Sequence, residues 1–337
     1  MSGHVHPRQA LFDSSEAAPA LPVCDHYCGV EARMLKSLKM QAELGPVFDV
    51  TFDCEDGAPV GAEKEHVRMA VDLLLSSENR FGRVGARVHP FDHPSFDADV
   101  QTIIRRAGSR LAYLMVPKIG GVEEARGAVN AIDRTLREHG HTHRVPVHVL
   151  IETHGALRDV DAIAAHPRIE SLSFGLMDFV SAHRGAIPQA GMSASGQFEH
   201  PLVVRAKLEI AAACHAHLKI PSHCVVTEFK KLDLLRAAAQ KASRQLGYLR
   251  MWSIHPDQIV PIVEAFAPTV AETDQATEIL MAAQANDWAP ISHRDTLHDR
   301  ASYRYFWHVL ERAVRTGQSL PVEVRQAFFS DVTGVAA

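Results

Sequence analysis

The 337-residue chain has no uncharged apolar run of about 18 residues, so it predicts no helix that crosses a bilayer. Its N-terminal stretch carries His4, His6, Arg8, Asp13 and Glu16 and no apolar block, which excludes a secretory leader by pattern. Cysteine is scarce: Cys24, Cys28, Cys54, Cys214 and Cys224 are an odd, scattered set, with neither a disulfide framework nor a paired CxxC zinc motif. Cys24 and Cys28 have the spacing of half a metal site, but no second half follows, so buried thiols are expected. There is no excess of positive charge either, since the formal net charge is -5. That argues against a nucleic-acid binder that relies on a broad basic face and leaves room only for a local basic pocket. Low-complexity sequence is missing as well, and 46% apolar with 22% charged residues is the balance of a globular protein. The expectation is a soluble, cytoplasmic protein acting on a small molecule, with no nucleic acid and no membrane as partner.

What is present is an alternation. Short apolar runs at Leu21–Cys24, Val47–Phe52, Gly82–Val88, Leu111–Val116, Val145–Ile151, Ile169–Phe174, Cys224–Val226 and Tyr248–Ile254 read as buried strands. Between them lie helical stretches near Val30–Glu43, Ala62–Ser77, Ser95–Ala107, Val122–Glu138, Leu157–Ala165, Pro201–His217 and Lys230–Leu246. Crossovers of that length predict a parallel sheet, and eight strands are the number that closes a (β/α)8 TIM barrel. No GxGxxG turn follows an early strand, which argues against the doubly wound open sheet. The domain reading is an N-terminal extension over 1–20, a barrel over 21–266 and a helical C-terminal extension over 267–337. That extension has helical stretches at Thr269–Asn286, Tyr303–Arg315 and Val322–Phe329, and an irregular Trp288–Asp299. It is expected to lack strands and a deep core of its own, and to serve as a lid or an oligomer contact. The histidine run His139, His141 and His143 reads as a loop rather than a metal cluster.

Several strands end on residues that carry chemistry. The second runs into Asp53-Cys54-Glu55-Asp56-Gly57, the third ends Arg87-Val88-His89, and the fourth ends Val116-Pro117-Lys118. The fifth ends Ile151-Glu152-Thr153, the sixth Phe174-Gly175-Leu176-Met177-Asp178, and the eighth Ile254-His255-Pro256. In a barrel these ends share one face, where active sites lie. So many carboxylates on one face repel each other unless a cation or an arginine holds them. Oxygen ligands favour Mg2+ or Mn2+ over zinc. Each residue also has an ordinary structural reading. Asp56 suits a turn, Arg87 could pair with Glu55, Lys118 could be a loop charge, and His255-Pro256 could start a helix.

These residues, taken in order, resemble a known family. Phe52-Asp53-Cys54-Glu55-Asp56-Gly57-Ala58 with Lys64 and Arg68 is similar to the "DLEDAV…K…AR" signature of citrate lyase beta-chain-like proteins of the HpcH/HpaI aldolase group. Arg87-Val88-His89 stands for "RVN", Val116-Pro117-Lys118 for "PK" and Ile151-Glu152-Thr153 for "IET". Phe174-Gly175 with Asp178 stands for "FG..D", Arg205 for the arginine of "aR", and Ile254-His255-Pro256 with Gln258-Ile259 for "IHP.QI". The resemblance implies a (β/α)8 barrel, a trimeric or hexameric homo-oligomer, Mg2+ and aldol-type carbon–carbon cleavage or condensation on hydroxyacyl-CoA thioesters or related hydroxy acids. By motif it makes Glu152 and Asp178 metal ligands and Arg87 the substrate-binding arginine. Lys118 and Glu152 are further substrate contacts, with Asp56 and His255 supporting them and Glu55 a catalytic partner of Arg87. Asp299 is the match for a tail aspartate that serves as general base, and its structural reading is a helix N-cap.

The chain also departs from the pattern. The family's opening "RS.LFVPG" strand appears as Leu21–Gly29, LPVCDHYCG, which brings Asp25, His26 and Tyr27 to the first strand. The "IDG" element is replaced by Pro221-Ser222-His223, and "GK" by Arg250-Met251. No Walker-type loop marks a nucleotide site. Two other classes stay in view: a thioesterase or synthase that shares the enolate chemistry, and a non-catalytic acyl-CoA-binding complex subunit.

Overall fold

The computed structural model describes residues 5–13 and 19–330. These fall into two compact units, Pro19–Ala265 and a second composed of Met1–Ala18 with Phe266–Ala337.

The larger unit is a closed barrel of eight strands in sequential order, every neighbouring pair parallel. They are β1 (Cys24–Cys28), β2 (Phe48–Asp53), β3 (Val84–Arg87), β4 (Leu114–Val116), β5 (Val147–Ile151), β6 (Ile169–Phe174), β7 (Ile220–His223) and β8 (Arg250–Ser253). Helices follow the strands as the periodicity requires. Helix Val122–Glu138 buries Ala125, Ala128, Val129, Ile132 and Leu136, a stripe at spacings of three and four, and places Glu123 and Glu124 at its positive N-terminal end.

Strand β2 shows how the barrel is filled. All six of its residues are buried, with Phe48, Val50 and Phe52 on one face and Asp49, Thr51 and Asp53 on the other. The polar face is the inner one. Thr51 Oγ1 donates to Asp25 Oδ1 at 2.7 Å, and Tyr113 Oη donates to the same oxygen at 2.9 Å. Arg250, fully buried, sets Nη2 2.7 Å from Asp49 Oδ2 and 3.1 Å from Asp25 Oδ2, while Arg83 Nε donates to Asp49 at 2.7 Å. A charged plug thus closes the N-terminal end of the barrel, its partners drawn from both sides of the β1/β8 seam. Above it lies a second layer of Tyr27, Met115, Leu150, Val225 and Trp252.

Two strands lie away from their expected places. The first covers Cys24–Cys28 rather than Leu21–Cys24, and the seventh Ile220–His223 rather than Cys224–Val226. Both real strands hold polar residues, Asp25-His26 and Pro221-Ser222-His223, which do not read as apolar runs. Asp25 is tolerated because its oxygens meet Thr51, Tyr113 and Arg250. The expected helix Leu157–Ala165 is two short ones, His154–Arg158 and Val160–Ala164.

The smaller unit departs further from expectation. It contains an antiparallel hairpin, β9 (Ile291–His293) and β10 (Thr296–His298), within the segment read as irregular. It also has a core of its own, in which Leu280, Tyr303, Trp307 and Leu310 pack with Leu11 of the short helix Pro7–Leu11. The expectation of no strands and no deep core is corrected on both counts. The aromatic stripe along helix Arg300–Arg315 supplies the missing apolar mass.

The cysteines are all free and buried. His141 and His143 bond the carbonyl oxygens of Ile104 and Gly108 at 3.0 and 2.9 Å, so both serve as braces for a helix end.

Candidate active site

The site starts from a register. Parallel pairing sets Asp53 at the end of β2 beside Arg87 at the end of β3, and neighbours in register point the same way. Arg87 Nε donates to Asp53 Oδ1 at 2.8 Å, and Nη2 donates to Oδ2. The same carboxylate accepts the backbone N–H of Glu55 at 3.0 Å and of Gly57 at 2.9 Å, so it shapes the turn after β2. That turn returns Glu55 to the guanidinium, with Oε2 3.0 Å from Arg87 Nη1. All three nitrogens of Arg87 therefore face a carboxylate.

Lys118, in the left-handed region at φ 50°, follows β4 and reaches the same group. Its Nζ donates to Glu55 Oε1 and, at 2.8 Å, to Asp56 Oδ2. Its backbone N–H donates to Glu152 Oε1 at 2.7 Å, which joins the β4 end to the β5 end. Thr153 Oγ1 donates to the Ile119 carbonyl at 2.7 Å and fixes the two loops to each other. Glu152 is buried, while Asp178, in the first turn of helix Leu176–Ser181, is half-buried. Gly175 lies against Glu152: a Cβ there would sit 2.1 Å from Oε2.

Charge explains what this arrangement invites. Burial pushes the Glu152 carboxyl up to about 7, and the charge of Asp178 adds to the rise. Burial also raises Glu55, against the pull of Arg87 and Lys118. For Asp56, burial works upward but Lys118 and the Glu55 hydrogen bond outweigh it, so its carboxyl is held low. The charge of Asp178 thus disfavours the ionised form of Glu152, with Arg87 already committed to Asp53 and Glu55. A divalent cation fits that donor set. Among the described residues no three His, Cys, Asp or Glu side chains gather as a complete protein cage. Two carboxylates with positions left for water and substrate oxygens is how Mg2+ is commonly held.

Of the residues singled out from sequence, Glu55, Asp56, Arg87, Lys118 and Glu152 are linked by direct contacts, and Asp178 by its charge on Glu152. His255 is used otherwise: it caps the turn Pro256–Gln258 by accepting the Asp257 N–H at 3.3 Å and stacks on Phe229. Lys64 and Arg68 are exposed on helix Glu63–Leu75, and Arg205 pairs with Glu209 on the surface of helix Pro201–Ala216. Asp299 belongs to the smaller unit, where Oδ1 accepts the Ala301 N–H at 3.0 Å and caps helix Arg300–Arg315. The sequence reading did not single out Asp53 as the organiser of the site. Its signal was alternation, since Asp49, Thr51 and Asp53 share the inner face. Tyr27 was also unassigned, though Asp25 and Tyr27 share the inner face of β1 for the same reason.

The chain is similar to known proteins. The family model for HpcH/HpaI aldolase/citrate lyase matches residues 37–256. The crystal structure of a citrate lyase from Burkholderia xenovorans LB400 is similar with 54% identity, over 96% of this chain and 99% of that one, at a TM-score of 0.83. An L-malyl-CoA/beta-methylmalyl-CoA lyase from Cereibacter sphaeroides is 26% identical over 285 residues, 81% of this chain and 88% of that protein. A Mycobacterium tuberculosis protein, solved in complex with magnesium, acetoacetate and coenzyme A, shares the fold at 18% identity and a TM-score of 0.66, over 89% of this chain and 99% of that one.

Proposed function

Because the chain belongs to the HpcH/HpaI aldolase/citrate lyase family and is a carbon–carbon lyase, we propose that it cleaves or forms the bond between a short acyl-CoA and an oxo acid or aldehyde in a Mg2+-dependent reaction. The observation that carries this reading is the Glu152–Asp178 pair, buried carboxylate beside half-buried carboxylate, next to a guanidinium locked in place.

Cleavage of a β-hydroxyacyl compound leaves an enolate, and its charge is what the site must stabilise. Glu152 and Asp178 would hold Mg2+, and the chemistry it would supply there is Lewis-acid polarisation of the substrate oxygens. The protein's own contribution is orientation. Asp53 and Glu55 hold the Arg87 fork, leaving one N–H on each of Nη1 and Nη2 for a carboxylate or enolate oxygen. Lys118 keeps Glu55 and Asp56 together, and its backbone N–H fixes which Glu152 oxygen turns away from the β4 loop. Under this reading Asp299 acts as general base from a neighbouring copy in a trimer or hexamer; sedimentation velocity tests the oligomer, and loss of turnover with metal binding kept in Asp299→Asn tests the base.

The decisive experiment is a turnover and thermal-shift screen of hydroxyacyl-CoA thioesters and free hydroxy acids, with Mg2+ and with EDTA. The expected result is a carbonyl product together with a shorter acyl-CoA, formed only with the metal. Release of free thiol without a carbonyl product makes the protein a thioesterase instead, and turnover indifferent to EDTA refutes the metal.

A further inference from the structure

Two polar groups in the upper layer of the barrel have no role in the site as described. Tyr27 Oη and Trp252 Nε1 are both buried, and neither has a hydrogen-bond partner among the described residues. Their rings stack at 4.3 Å between centroids, across the β1/β8 seam. Arg87 Cζ sits 5.5 Å above the Tyr27 ring, so the pair lies directly against the proposed reaction centre. Met115, Leu150 and Val225 complete the layer, and the weakly accepting thioether sulfur of Met115 is the one side-chain acceptor among these three. Unpartnered buried donors are rare in native proteins, and two in adjacent stacked rings beside a binding centre mark a place for an acceptor. Tyr27 also lies in the opening strand that departs from the family pattern.

The charge of that acceptor follows from its neighbours. Below the layer, Arg250 is committed to Asp25 and Asp49; above it, Arg87 is committed to Asp53 and Glu55. The two N–H groups that Arg87 keeps free are those assigned to the reacting carboxylate or enolate oxygen, and Asp25 and Asp53 on either side of the layer would repel a second carboxylate at this depth. A methyl group would leave both donors desolvated and unpaired.

We propose that Tyr27 and Trp252 are specificity-determining residues that hold an uncharged oxygen, hydroxyl or ketone, on the acyl or oxo-acid portion of the substrate. The enzyme then prefers substrates bearing such an oxygen over counterparts with a methyl or a carboxylate in its place. This rests on the lyase reading for its substrate frame, but its test does not depend on turnover.

The test uses matched sets of CoA thioesters and free oxo acids that differ at one position, CH2OH against CH3 against COO−, with wild type, Tyr27→Phe and Trp252→Phe. Binding is read by calorimetry and kcat/KM by product assay. Wild type should favour the hydroxyl-bearing member over the methyl-bearing one by about tenfold or more, with the carboxylate-bearing member weakest. Tyr27→Phe, which keeps the ring, should erase most of that ratio while leaving the methyl-bearing member within about threefold of wild type. Equal wild-type affinity across the set overturns the proposal, as does an equal loss for every member in both variants. A changed melting temperature with an unchanged ratio also overturns it, since that is what a pair satisfied only by a buried water would give. A hydroxyl preference in binding that Tyr27→Phe erases, in a protein that turns over none of the thioesters, would uphold this inference and reject the lyase substrate frame.

Discussion

Asp53→Asn separates an organising carboxylate from a bystander by a magnitude that can be worked out beforehand. Oδ1 accepts Arg87 Nε at 2.8 Å and Glu55 N at 3.0 Å; Oδ2 accepts Arg87 Nη2 and Gly57 N at 2.9 Å. An asparagine presents one oxygen and one NH2. Whichever way the amide is flipped, the NH2 faces two donors, so two bonds to a charged acceptor are lost and the Arg87 charge loses its nearest counterion. Bonds of that kind contribute about 1.5–3 kcal/mol each, which sets the expected loss at about 3–5 kcal/mol after some local relaxation. That is a large part of the stability of an ordinary domain. Urea unfolding followed by circular dichroism measures it as a lower midpoint with a similar slope. Asp72→Asn is the control: Asp72 accepts from Arg106 at 2.7 Å but on the surface, where an ion pair contributes little. If Asp53→Asn is as mild as Asp72→Asn, the four bonds are not holding the turn, and the account of the site given above fails.

Gly175→Ala should drive the Glu152 carboxylate away, because the added Cβ would lie 2.1 Å from Oε2; calorimetry should show Mg2+ affinity reduced at least about tenfold. Asp178→Ala should abolish Mg2+ binding with the melting temperature little changed, and unchanged binding would remove Asp178 from the metal site. Glu55→Gln should lower kcat/KM by about 10–100-fold without loss of the metal, the range for a residue that positions others. Lys207 is fully buried against Gln197 Oε1 at 2.7 Å, and burial lowers its amine to about 8. Below that pH the folded protein carries a buried charge; between about 8 and 10.5 the folded amine is neutral while the unfolded one still binds a proton, so stability rises with pH across that window. Lys207→Met should therefore be more stable than wild type at pH 7, by about 1–3 kcal/mol, with the gain shrinking as pH approaches 10; a constant difference across pH would refute the assignment.

The barrel was legible because several of its helices are amphipathic and most of its strands carry enough buried Val, Ile, Leu and Phe to read as short apolar runs. Helix Val122–Glu138 and strand β6 lie where the pattern puts them. Strands β1 and β7 were misplaced because their inner or outer faces carry Asp, His and Ser, and only the three-dimensional partners make such residues acceptable in a core. The same limit applied to the site. Arg87 was readable as either a substrate ligand or a partner of Glu55, and the geometry gives it Glu55 and, bidentately, Asp53. Short motifs located Glu55, Asp56, Lys118 and Glu152, but which of them touch depends on register and on the reach of a lysine across two loops. In the smaller unit, the docking of Leu11 on residues more than 260 positions away has no local signal at all.

The charged plug has a consequence for how the chain comes to be folded. Asp25 and Asp49 are made early in synthesis, yet the arginine that faces both of them is residue 250, in the last strand of the barrel. Among the described residues, the contacts that do not involve that strand leave Asp25 with hydroxyl donors from Thr51 and Tyr113, and Asp49 with Arg83. A nascent chain with seven strands paired therefore cannot dehydrate this end without stranding a charge, which favours a wet, open sheet over premature closure. The final docking is a long-range event, slow by its loop length and driven by charge pairing as much as by apolar contact. The floor of the barrel is therefore completed across the whole length of the domain, since the arginine that faces Asp25 and Asp49 comes from the last strand and its partners from the first two.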